Sequence, residues 1–176
     1  GYIGTHGMAH KLDFILQSAK KLEDNPNLHF LLIGGGAMKE SLLKLKDELG
    51  CTNVTMLDSV MKEEVARYIS ILDVCLINLK KSPLFTTVIP SKIFENAGMG
   101  IPILMGVEGE AKDIISQYGA GLCFEPENFD DFRQKLTALL EPATYAKCKE
   151  GCRHLADNFD RKLLAANMLK VIESAK

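Results

Sequence analysis

The sequence predicts an α/β fold, a doubly wound parallel six-stranded sheet with helices on both faces. Three observations lead there. Short apolar runs of strand length alternate with segments whose apolar residues recur at helical spacing. The runs carry little polar alternation, as strands covered on both faces do. Turns rich in glycine, proline and asparagine separate them, and right-handed crossovers follow from that order.

Residues 1–4 are the end of a strand, closed by Gly4. The next segment places Leu12, Ile15, Leu16, Ala19 and Leu22 on one helical face, and Asn25-Pro26-Asn27 turns the chain. Residues 29–33 are a second strand, closed by Gly34-Gly35-Gly36. Met38, Leu42, Leu45 and Leu49 then line a helix that Gly50 ends. Residues 54–57 are the third strand and residues 62–72 the third helix, with Val65, Ile69 and Leu72 facing in. Residues 74–79 are the fourth strand. A loop of about ten residues follows, long enough to suggest function.

Pro90-Ser91 then starts a short helix, Pro fixing φ and Ser offering a capping hydroxyl. Gly98 and Gly100 stop it, and residues 102–105 form the fifth strand. Residues 108–118 are helical and residues 121–124 a short sixth strand. The end is all helix, at 130–140, 144–159 and 161–174, the first striped by Phe132, Leu136 and Leu139.

The 176 residues suffice for a single domain with a real core, spanning 1–176. A net charge of −2 gives no basic field for nucleic acid. No apolar run reaches the ~18 residues of a transmembrane helix. The chain opens on a strand already under way, without a signal peptide, which suggests the later part of a longer protein. The five cysteines are scattered. Cys148 and Cys152 lie one helical turn apart on the stripe of Tyr145, Leu155 and Phe159, and no second pair answers them. They indicate packing rather than a metal site, and a reducing, cytoplasmic setting.

In such folds the ligand crevice lies outside the carboxyl ends of the strands. The loops that face it are 5–10, 34–37, 58–61, 80–89 and 105–109. In the first, Gly4 and Gly7 let backbone approach a ligand, and His10 or Lys11 can reach a diphosphate. The same residues also read as exposed loop polars. Gly34 and Gly36 fit the first two glycines of a dinucleotide turn, but Lys39 stands where the third belongs, so a roomy turn is the better account. Asp58-Ser59-Val60 offers backbone to a nucleobase edge, or simply caps the next helix. The helix after Pro90 aims amide hydrogens at the crevice, Lys92 adds a positive charge, and Glu95 suits a pair of ribose hydroxyls. The plainer alternative is a capped helix with Glu95 solvated. No Ser-His-Asp or Cys-His arrangement is legible.

Taken together, the turn at Gly4, Gly34-Gly35-Gly36, Asp58-Ser59-Val60, Leu72-Asp73-Val74, Pro90-Ser91-Lys92-Ile93-Phe94-Glu95 and Gly100-Ile101-Pro102 resemble a known pattern. In order and spacing they are similar to the C-terminal domain of retaining glycosyltransferases with the GT-B fold, the large fourth family. The nearest resemblance is to transferases that build bacterial surface polysaccharides from nucleotide-activated amino sugars. It implies a Rossmann-like half that binds a nucleotide diphospho-sugar, UDP-linked, with no metal or other cofactor. It implies that Glu95 holds the ribose hydroxyls and that Ser59 and Val60 face the base. Ile89, Pro90, Ser91 and Lys92 then contact phosphate, with Thr5, His6, Gly7, Gly34 and Gly35 around the donor and His10 and Lys11 as its catalytic cations. The chain departs from the pattern at three positions: Thr87 replaces an acid, Thr5 an arginine and His10 a lysine.

The function expected is retaining glycosyl transfer in surface-polysaccharide synthesis. The acceptor, a glycan or lipid-linked sugar, would be held by an N-terminal domain outside this chain, in a cytoplasmic protein peripherally associated with the membrane. A UDP-sugar epimerase of the same fold and a non-catalytic nucleotide-binding module are the alternatives.

Overall fold

The computed structural model describes residues 1–174. Six short strands, β1 (Tyr2–Ile3), β2 (Phe30–Ile33), β3 (Val54–Leu57), β4 (Cys75–Asn78), β5 (Ile103–Gly106) and β6 (Gly121–Cys123), alternate with helices. These are α1 (Leu12–Lys21), α2 (Lys39–Leu49), α3 (Lys62–Ile69), α4 (Lys92–Gly98), α5 (Glu110–Tyr118) and α6 (Phe129–Leu140). Two further helices, α7 (Pro142–Asn158) and α8 (Arg161–Ser174), follow without a strand between them.

Every strand pairing is parallel, but the strands form two three-stranded sheets, β1-β2-β3 and β4-β5-β6, instead of the single six-stranded sheet expected. The reason is the shortness of β1. The strand packs beside β4, but the backbone hydrogen bonds between them come only from Gly1 just before it, whose nitrogen donates to Val74 O and whose carbonyl accepts from Leu76 N, both at 2.7 Å. Two ladder residues are too few to carry the pairing further.

Side chains alternate across each strand and so feed two cores. Leu76 and Leu104 face a core completed by Leu12, Ile15 and Leu16 of α1, Leu42 of α2, and Phe132 and Leu136 of α6. Cys75, Ile77, Ile103 and Met105 face the other, built from Ile93 and Ala97 of α4, Ala111 and Ile115 of α5, and Cys152 and Leu155 of α7. Each Leu, Ile, Met or Phe among them contributes about 1.5–3 kcal/mol on burial. Phe132 sets its ring edge-on to Phe14 and Phe124. All five cysteines are free, and Cys148 and Cys152 are buried in packing.

One local expectation changes. Ser91 is not a capping residue: it sits in the helical region and its hydroxyl makes no cap bond. α4 ends at Gly98 as expected, and Gly100, at φ +69°, turns the chain out. At the far end, α8 buries nothing, and Leu163, Leu164, Met168, Leu169, Val171 and Ile172 are exposed. Among the described residues no helix is long and apolar enough to cross a membrane.

Candidate active site

Parallel strands put their carboxyl ends on one edge, and the chain makes its glycine turns there. Gly34 has φ +150°, and a Cβ on it would run into the carbonyl oxygen of Gly4. Only glycine lets the ends of β1 and β2 close in this way. The closure is fixed by Gly4 N donating to Ile33 O at 2.8 Å, Gly34 N to Leu57 O at 3.2 Å, and His6 N to Gly35 O at 2.7 Å.

Above these turns lies a cavity of about 230 Å³. Gly4, Thr5, Gly34, Gly35, Ser59 and Val60 line it, with Ile3, Ile33 and Val65 beneath. Five residues read from the sequence as donor-contacting, Thr5, Gly34, Gly35, Ser59 and Val60, therefore share one hollow. Its walls are backbone and small side chains, which suits a flat ligand edge.

Lys92 enters from α4. Its amine occupies the place where a side chain on Gly4 would begin. The amine donates to the Tyr2 hydroxyl at 3.2 Å and stands 4.3 Å from the centre of the Tyr2 ring, a cation–π arrangement. The Tyr2 hydroxyl in turn donates to Thr5 O at 2.8 Å. Among the described residues Lys92 pairs with no carboxylate. Burial pulls its pKa below the ordinary lysine value, with Cys75 and Glu95 opposing. A cation held this way, half out of water and without an acid, is suited to an anion that arrives with a ligand.

The two loop histidines stand beside it. His10, in the 3₁₀ turn Met8–His10, sets its ring edge-on to Tyr2 at 5.8 Å, and its Nδ1 is buried without a partner. His6 is wholly buried, 6.0 Å from the Tyr2 ring, with both ring nitrogens unpartnered. Burial, then Lys39, His10 and Lys92, push the His6 pKa down to about 4. Burial and Lys92 lower that of His10 as well.

Lys11 is placed differently. It takes a left-handed conformation, φ 48°, and its amine is bound by Asp13 at 2.7 Å, with Glu127 at 3.9 Å. The Asp13 hydrogen bond raises its pKa. Lys11 is thus answered within the protein, while Lys92 is not. Asn78, buried at the end of β4, donates to the carbonyls of His10 and Lys11 at 3.0 and 3.2 Å and pins this loop to the second sheet.

Ile89 and Ser91 are exposed and Pro90 half-buried at the start of α4. The amides of Ile93, Phe94 and Glu95 are already bonded to the carbonyls of Pro90 and Ser91, so they are not the open amides the sequence suggested. Glu95 is exposed one turn after Lys92, and Thr87 is exposed in the preceding loop. Gly7 sits outside the cavity, accepting from His10 N at 3.0 Å. Sequence reasoning missed Tyr2 and Lys39. Tyr2 reads as an ordinary strand residue, and only the fold brings Lys92 onto it. Lys39, 3.4 Å from Asp58 and bonded to Leu57 O, had been noticed only as a break in a glycine pattern.

Parallel ladders, glycine turns at their carboxyl ends and a cation without a carboxylate beside a cavity make an α/β domain whose crevice is suited to an anion. The chain belongs to the family Glycosyl transferases group 1, which matches residues 2–155. No curated sequence matches the chain.

Among solved structures, the glycosyltransferase WaaG, described as involved in lipopolysaccharide biosynthesis, is 18% identical with a TM-score of 0.72, covering 91% of this chain and 43% of that one. Anabaena Alr3699/HepE, solved in complex with UDP, is 13% identical with a TM-score of 0.79, covering 98% of this chain and 48% of that one. The C-terminal domain of LpcC, a glycosyl transferase group 1 protein from Francisella tularensis, is 15% identical with a TM-score of 0.71, covering 90% and 84%. The fold is that of a Rossmann-like half of a GT-B glycosyltransferase, and the chain spans less than half the length of WaaG and HepE.

Proposed function

We propose that this domain binds the nucleotide diphospho-sugar donor of a glycosyltransferase, UDP-linked, and that transfer retains the anomeric configuration. Lys92 carries the assignment: a half-buried amine paired with no carboxylate among the described residues, in contact with Gly4 at the rim of the cavity. The base lies against Ser59 and Val60, Glu95 takes the ribose hydroxyls, and the diphosphate meets Lys92 and the His10 loop. As the donor bond breaks, negative charge builds on the departing diphosphate. Preorganised cations in a closing cleft stabilise it, and the assignment calls for no resident metal. Support for UDP comes from HepE, solved with UDP and with UDP-glucose, and from the pneumococcal O-GlcNAc transferase GtfA, solved with UDP and GlcNAc.

The acceptor, a glycan or lipid-linked sugar, is held by an N-terminal domain, so this chain alone binds donor and transfers nothing. The whole protein works at the cytoplasmic face of the membrane in surface-polysaccharide synthesis.

Thermal denaturation with UDP tests the assignment. At a hundred times Kd the ligand adds about 2.7 kcal/mol, hence roughly 5–10 °C in Tm. No shift with UDP or any UDP-sugar favours a non-catalytic module. Glu95→Ala is expected to erase the preference for UDP over its 2′-deoxy analogue with little change in Tm, because Glu95 is exposed. A retained preference removes Glu95 from the ribose site. Conversion of donor by the whole protein without acceptor identifies an epimerase.

A further inference from the structure

We propose that nucleotide diphosphate binding at this rim is coupled to the uptake of one proton at His10, so that donor affinity rises as pH falls. The inference rests on the donor assignment and adds the ionic form in which the site works.

The basic groups gathered around Tyr2 have no acid among them. Lys92 stands over the Tyr2 ring at 4.3 Å, and the rings of His10 and His6 meet it at 5.8 and 6.0 Å. The groups that face His10 are Lys92 from α4, the Tyr2 phenol from β1 and His6 from its own loop. From β4, Asn78 approaches its carbonyl. The neighbouring carboxylates, Asp13 and Glu127, are engaged by Lys11. Lys39, on the α2 side of His6, is engaged by Asp58. His10 Nδ1 is left buried and unpartnered.

Burial and the charge of Lys92 therefore keep His10 below its usual pKa of 6.5 and neutral at pH 7 in the empty domain. A diphosphate brings two negative charges to the same side chains. It offsets Lys92 and favours the imidazolium, so His10 takes a proton from the buffer. His6, wholly enclosed and held to about 4, stays neutral. The free pKa is low and the bound pKa higher, so uptake peaks between them. Affinity climbs as pH falls through the bound value and levels off below the free one, by at most about tenfold per pH unit.

The test is calorimetric titration of the 176-residue chain with UDP-glucose at pH 7, in two buffers of different ionisation enthalpy. UDP-glucose is chosen because its diphosphate, esterified at both ends, does not itself titrate near neutrality. The expected result is an apparent enthalpy that differs between buffers by a substantial fraction of the difference in their ionisation enthalpies. In His10→Gln the difference vanishes and binding weakens. In His10→Lys the difference vanishes while affinity at pH 8 is kept. Equal heats in both buffers, or uptake that persists in His10→Gln, overturn the inference and leave the donor assignment standing. If neither UDP-glucose nor UDP binds at any pH, the donor assignment falls and the inference with it.

Discussion

Replacing Lys92 with methionine separates structure from function because it changes the folded domain little and the complex a great deal. Methionine has nearly the length of the lysine stem and no charge. In the unliganded domain the substitution removes one hydrogen bond to Tyr2, about 1 kcal/mol, and one cation–π contact, about 0.5–2 kcal/mol. It also removes the cost of keeping an ammonium half-buried without a carboxylate, and exchanging a buried charge for a well-packed apolar group is often neutral or stabilising by about 1–4 kcal/mol. The two terms nearly offset, and the net expectation is a Tm within a few degrees of the parent's. In the complex the lost contact is a charge-assisted hydrogen bond to phosphate, about 1.5–3 kcal/mol, or roughly 10- to 150-fold in Kd. Thermal denaturation without ligand and calorimetric titration with UDP give both numbers. A variant several degrees less stable that binds UDP as well as the parent refutes the reasoning and makes Lys92 a structural residue.

Tyr2→Phe keeps the ring but leaves Thr5 O without its donor and Lys92 without its anchor; UDP affinity should fall three- to tenfold, a loss of about 1 kcal/mol, measured by titration. Gly34→Ala must fit a Cβ against the Gly4 carbonyl at φ +150°, so about 3 kcal/mol or more of stability and roughly 6–12 °C of Tm are expected to go. His6 is held to about 4, below the 6.5 of an unfolded histidine, so the unfolded chain binds the proton first and stability is lost as pH falls below 6.5. Between pH 7 and pH 5 that amounts to about 1–2 kcal/mol, and denaturant unfolding of His6→Gln should lack that part of the slope.

The strands were legible because they are continuous apolar runs: residues 29–33, 54–57 and 74–79 all contain the observed β2, β3 and β4. The division into two sheets was not, since nothing in the residues around Gly1 announces how far β1 and β4 pair. The rim of the crevice was legible wherever glycine was required, as at Gly34, because the backbone demand is local. Capping by Ser91 failed because Ser91 already adopts helical angles, leaving its hydroxyl no cap geometry. The state of Lys11 was illegible for a different reason. Asp13 lies two positions on, but Glu127 comes from the loop before α6, and only the packing of α6 brings it near.

Lys11 and Lys92 were both read as cations for the diphosphate, and the fold sets them apart. A lysine whose carboxylates come with the protein has its charge balanced before any ligand arrives, and an incoming phosphate would have to displace them. A lysine seated on an aromatic ring has its direction fixed and its charge still open. Gly4 is part of the same device. With φ +148° and no side chain, it leaves the volume that the Lys92 amine fills. The first glycine turn and the first residue of α4, remote in sequence, thus form one contact. The glycine serves the lysine's approach as well as the turn, and a phosphate bound at this rim would face a charge that no carboxylate among the described residues has claimed.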